Sequence, residues 1–125
     1  MKNYFQLPLG QDEQGQPIER GIKLNNRTIE YWYDATGEDP MQKFSDGEAI
    51  KNHKDIINMV EKIIYAGLRS NYASMKRPED FTAEDVREWV KEMPYQETYN
   101  VFQHFIAFIN PQSLALGEEG TDTQR

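Results

Sequence analysis

The 125 residues contain no cysteine, so disulfides, Cys-ligated zinc and thiol nucleophiles are all excluded, and the redox compartment stays open. No apolar run approaches the ~18 residues that a membrane-spanning helix needs, and the N-terminus has no signal-peptide core. Basic residues are few: 14 Lys and Arg stand against 21 Asp and Glu, for a net charge of −7. Phosphate-backbone binding, which needs clustered Lys and Arg, is therefore not expected. Lys76-Arg77 beside Tyr72 is the one basic and aromatic spot, too small to offset that balance. The glycines are scattered along the chain and form no phosphate-cradling loop. A soluble protein that stays where it is made is the expectation, with no nucleic acid and no membrane among its partners.

What is present is a long amphipathic stretch, Glu48 to Tyr72. At helical spacing, Ala49, Ile50, His53, Ile56, Ile57, Val60, Ile63, Ile64, Gly67 and Leu68 share one broad face. A helix of that length runs roughly 37 Å, enough to cross a whole domain of this size. Its apolar arc is too wide for one covered side, so other elements must pack on two. The fold expected is mainly α, a small helical domain around one long central helix. Residues 1–24 form either a β-hairpin or a flexible arm, 25–116 the helical domain, and 117–125 a polar, disordered tail.

Along residues 1–24, Phe5, Leu7 and Leu9 alternate with polar positions, Gln11 to Gln16 reads as a turn, and Ile18, Ile22 and Leu24 as a returning strand. Asn25 to Gly37 mixes strand-forming aromatics with an Asn cap and a terminal glycine. The caps and the shared face of Ile29, Trp32, Tyr33 and Thr36 favour a helix. Pro40 opens a short helical turn with Met41 and Phe44 facing inward. Ser45-Asp46-Gly47 then breaks the chain before the central helix. Further on, Phe81-Thr82-Ala83-Glu84-Asp85-Val86 carries a capping box and a Phe81–Val86 staple. That helix runs to Met93 on a narrow stripe of Val86, Trp89, Val90 and Met93, and Pro94 ends it. A last helix spans Tyr95 to Ile109.

Candidate chemistry is thin. His53 falls inside the apolar arc and is expected to be a half-buried, hydrogen-bonded structural residue; His104 is expected on the surface. Neither has a second histidine at metal-ligand spacing. Glu79, Asp80, Glu84, Asp85 and Glu88 gather at a helix start, where they serve the cap and the dipole. Neither catalysis nor a cofactor is expected. Gly67 sits in the apolar arc, where it lets a neighbouring backbone approach closely. Tyr95 to Leu116 has one charged residue, Glu97, among many aromatics. Part of that strip is expected to contact another subunit or a partner, through Tyr99, Phe102 and Phe105.

A Thr36-Gly37 helix end, Ile64-Tyr65-Ala66-Gly67-Leu68, a polar loop and Thr82-Ala83-Glu84-Asp85-Val86 follow in that order. In this, residues 22–93 resemble the tail assembly chaperones of long-tailed bacteriophages. The resemblance implies a small helical, non-enzymatic protein of the host cytoplasm that is absent from the finished virion. Its implied partner is the tape-measure protein, held soluble until tail tube protein polymerises around it, and the implied active form is a homo-oligomer. A longer form made by frameshifting is also a family property, and the segment from Gly117 would suit as its linker. Two other readings are a structural virion or head–tail connector protein, and an acidic inhibitor mimicking nucleic acid. The last ranks lowest, because the carboxylates are interspersed with Lys and Arg.

Overall fold

A computed structural model describes residues 3–45 and 50–109, the side chains of residues 43–45 excepted. It is mainly helical, with an N-terminal antiparallel hairpin. The order is β1 (Tyr4–Gln11), β2 (Pro17–Lys23), α1 (Asn26–Thr36), α2 (Pro40–Ser45), α3 (His53–Ser74), α4 (Ala83–Glu92) and α5 (Tyr95–Ile109). The expected Ser45–Gly47 break, the inward placement of Phe44, residues 48–49 and the 117–125 tail lie outside the described residues.

The open choice at residues 1–24 resolves as a hairpin. Alternation puts Leu7 and Leu9 of β1 and Ile22 of β2 on the buried face. The turn is held by Asp12, whose carboxylate accepts the backbone N–H groups of Gln14 and Gln16, each at 2.9 Å. A register irregularity lies between Pro8 and Gln11, where Gly10 takes a φ of 82° that other residues rarely adopt. A two-stranded ribbon is marginal in water; this one is stabilised by lying on α3.

α1 is a helix because its ends are encoded locally. Asn25 and Thr28 form a reciprocal capping box, and Gly37 closes the helix in the left-handed conformation, its N–H donating to the Tyr33 carbonyl at 2.7 Å. The buried face differs from the expected one: Thr28 and Trp32 are inside, while Tyr33 is exposed. The Thr28 hydroxyl donates to the Lys23 carbonyl at 2.6 Å, which pins that side of the helix against the hairpin. Met41 of α2, expected inward, is also exposed.

α3 is the central helix, but it begins at His53 rather than near Glu48. Asn52 caps it by accepting the Asp55 N–H at 3.0 Å, and the Asp55 carboxylate accepts the Lys51 N–H at 2.8 Å. These local bonds outcompete a further turn of helix. Ile50 therefore packs beside the helix rather than along it. From Ile56 to Tyr72 it is covered by α1, β2, α4 and α5, all of which pack against it. Val60, Ile63, Ile64 and Leu68 are fully enclosed. Gly67 does admit a close neighbour, which is the strand β2 rather than a helix.

The α4 capping box forms as expected. Asp85 N–H donates to Thr82 Oγ1 at 3.1 Å, and Thr82 N–H donates to Asp85 Oδ2 at 3.0 Å. Phe81 and Val86 are both buried in the same core.

Candidate functional site

Of Tyr99, Phe102 and Phe105, the three residues expected at a partner contact on α5, the fold separates one from the other two. Phe105 has no exposed surface and stacks on Trp32 of α1, ring centroids 5.4 Å apart. Phe102 is 8% exposed and belongs to the core cluster. Part of the aromatic face of α5 is thus met from within the chain. Trp32 covers one part, and Phe5 of β1 stacks on His104 at 4.6 Å. Tyr99 alone offers substantial surface, at 39% exposure, with Tyr95 one turn before it.

Tyr95 and Tyr99 form an aromatic row that continues to His53 at the start of α3. The centroids are 6.3 Å apart for Tyr95–Tyr99 and 5.1 Å for His53–Tyr95, the latter pair stacked. His53 is exposed rather than half-buried, because the late helix start leaves it in the first turn, above the level at which neighbours cover α3. Its role is to extend this row, not to fill the core. The row carries ring faces and two phenolic hydroxyls, a combination that suits a protein interface.

A second surface is a groove of about 760 Å³ between β1 and the junction of α4 with α5. Pro8, Trp89, Met93 and Pro94 give it apolar walls, and Glu92 and Glu97 are its charged residues. The Trp89 ring lies against Gly10, where an added Cβ would come within 2.9 Å of it.

Arg20 is a buried, multiply bonded polar residue that the strand pattern of the sequence did not single out. Its side chain is 4% exposed. It donates to the Leu9 carbonyl at 2.8 Å, to the Tyr72 hydroxyl at 2.9 Å and to Asp80 Oδ1 at 2.8 Å. It also lies 4.8 Å from the Trp89 ring centroid. One side chain thereby ties the hairpin to α3, to the loop before α4 and to α4 itself. A signal existed: Ile18, Arg20, Ile22 and Leu24 share one strand face, so Arg20 stands on the apolar side. Burial on its own would raise the Asp80 carboxyl. The hydrogen bond and charge of Arg20, a backbone hydrogen bond and Tyr72 outweigh it and hold the group below its ordinary value.

The sign of the resulting pH dependence follows directly. A carboxylate with a depressed folded-state pKa contributes stability above its unfolded value, and that contribution is lost as pH falls through the folded one. Asp80→Asn is therefore expected to lower the melting temperature slightly at neutral pH. The gap to wild type should close below about pH 4, near the unfolded value of an aspartate. Melting curves from pH 7 to pH 2.5 check this; a gap that stays constant would show that the Arg20 pair carries no linkage. Asp80 is 62% exposed, so the neutral-pH effect should stay below about 1 kcal/mol.

A parallel contact braces the opposite side. Arg69 donates to Glu79 at 3.0 Å and lies over Tyr31 at 4.4 Å, linking α1, α3 and the loop before α4. Among the described residues no three His, Cys, Asp or Glu side chains gather as a metal site, and no helix is long and apolar enough to cross a membrane. No family model, curated protein or solved structure matches the chain.

Proposed function

We propose that this protein is a tail assembly chaperone of a long-tailed bacteriophage. It acts in the host cytoplasm without catalysis, binding the tape-measure protein and keeping it soluble while tail tube protein polymerises. Support comes from the resemblance over residues 22–93 and from one structural observation, the exposed aromatic rings of His53, Tyr95 and Tyr99 set in one continuous row. Rigid aromatic side chains next to apolar surface provide contact area at little entropic cost, as masking an apolar helix requires. The net charge of −7 would keep such a complex in solution. Homo-oligomerisation through the same row would raise the effective concentration of binding surface along a long client.

Tyr99→Ala tests the row. Tyr99 is exposed, so the fold should be preserved, with a stability change within about 0.5 kcal/mol. Soluble complex recovered on co-expression with the tape-measure protein should fall several-fold. Unchanged complex yield and oligomeric state in a folded variant would move the partner site elsewhere. Mass spectrometry of purified virions decides between this reading and a connector protein: a chaperone should be missing from the particle.

A further inference from the structure

The hairpin has two outer edges, and they are treated differently. On β2, the outward Lys23 carbonyl accepts the Thr28 hydroxyl at 2.6 Å, so the end of that edge is already engaged from within the chain. On β1, the Leu24 N–H donates to the Asn3 carbonyl at 2.7 Å, which places the bonded pairs at odd-numbered β1 positions. Antiparallel alternation then turns the backbone groups of Tyr4, Gln6 and Pro8 away from β2. Pro8, lacking an N–H, stands where its absence removes no ladder bond. Gln6 and Pro8 of this edge line the groove together with other hairpin residues, and Trp89, Met93 and Pro94 line it from the α4–α5 junction. Glu92 and Glu97 are the charged residues of its lining, which contains no Lys or Arg.

We propose that this groove binds an extended segment of a partner protein in which basic residues alternate with large aliphatic ones. The segment adds to β1 as a third strand. Gln6 supplies an N–H and a carbonyl, and Pro8 a carbonyl, for main-chain pairing. Aliphatic side chains on one face of the incoming strand rest on Trp89, Met93 and Pro94, while its basic side chains reach Glu92 and Glu97. Charge selects the occupant. A second copy of this chain carries a net charge of −7. Residues 117–125 hold Glu118, Glu119 and Asp122 against Arg125 alone. Both are repelled by an acidic groove, whereas a cationic segment is attracted. This site is distinct from the Tyr95–Tyr99 row and does not rest on the tail-assembly reading.

The test uses a fluorescent eight-residue peptide alternating lysine and valine, followed by anisotropy and by amide NMR of the full chain. Saturable binding should shift the Gln6 amide and the Trp89 indole resonances. The same peptide methylated on alternate backbone nitrogens should not bind, because its donors are blocked. The joint Glu92→Gln and Glu97→Gln substitution should weaken binding about tenfold, the size of one well-placed charge contact. Gln6→Pro removes an outward donor and no ladder bond, so the fold should survive while binding is lost. Equal affinity for the methylated peptide overturns strand addition on the wild-type protein, whether or not Gln6→Pro folds. Equal affinity in the doubly substituted protein overturns charge selection. Shifts confined to Tyr95 and Tyr99, or preference for a helical lysine–leucine peptide, overturn the site.

Discussion

Arg20→Ala is expected to destabilise the protein by about 3 kcal/mol, from hydrogen bonds by a charged donor at roughly 1.5–3 kcal/mol each, discounted for shared partners. The side chain is buried and donates to three groups in three parts of the chain. The Asp80 contact contributes least, because Asp80 is mostly exposed and water replaces its partner readily. Most of the loss comes from the Leu9 carbonyl and the Tyr72 hydroxyl, left without their donor inside the fold, and from the stem no longer packing against Trp89. For a domain of this size the melting temperature should fall by roughly 10 °C. Arg20→Met keeps the packing of the stem and should recover part of the loss, which divides the effect between packing and polarity. Urea denaturation gives the measurement. A midpoint unchanged in Arg20→Ala would mean that the hairpin is held by its apolar face alone.

Gly67→Leu should be comparably damaging, at about 1–3 kcal/mol for overpacking a filled core. The collision begins with the first added carbon, since a Cβ at position 67 would meet Cγ2 of Ile22 and lie 3.6 Å from the Lys23 carbonyl. Ile22 has no exposed surface into which it can retreat. The strand must then lift from α3, and α1 must follow, because Thr28 is bonded to the Lys23 carbonyl. A second substitution makes the test specific. Ile22→Ala alone opens a cavity and costs about 2–5 kcal/mol. Combined with Gly67→Leu it should cost clearly less than the two separate losses added together, because the leucine occupies the vacated space. Strict additivity in thermal melts would show that positions 22 and 67 do not share one contact.

How much of this was legible in the sequence depended on the range of the forces involved. The α4 start could be read because Thr82 and Asp85 satisfy each other's backbone within four residues. The same holds for the ends of α1, where Asn25 and Gly37 overrode the strand propensity of the aromatics between them. The broad apolar stripe of α3 required cover on two sides, whatever supplied it. The close approach at Gly67 was readable as well, although its neighbour was not.

Everything decided by a partner distant in sequence had to wait for the fold. Helical spacing gave α5 a wide apolar arc but could not divide it. Trp32 and Phe5 took Phe105 and His104, leaving Tyr95 and Tyr99 to solvent. His53 lay on an apolar wheel position, yet a wheel has no end. The Asn52 cap set where α3 begins and so put His53 outside. Arg20 sat in plain view on an apolar strand face. Its burial became tolerable only when Leu9, Tyr72 and Asp80, from three other parts of the chain, converged on its guanidinium. Caps and periodicity are local, and the sequence contains them whole. The pairing of faces is settled by which distant surfaces exclude water together, and only the assembled tertiary structure states that.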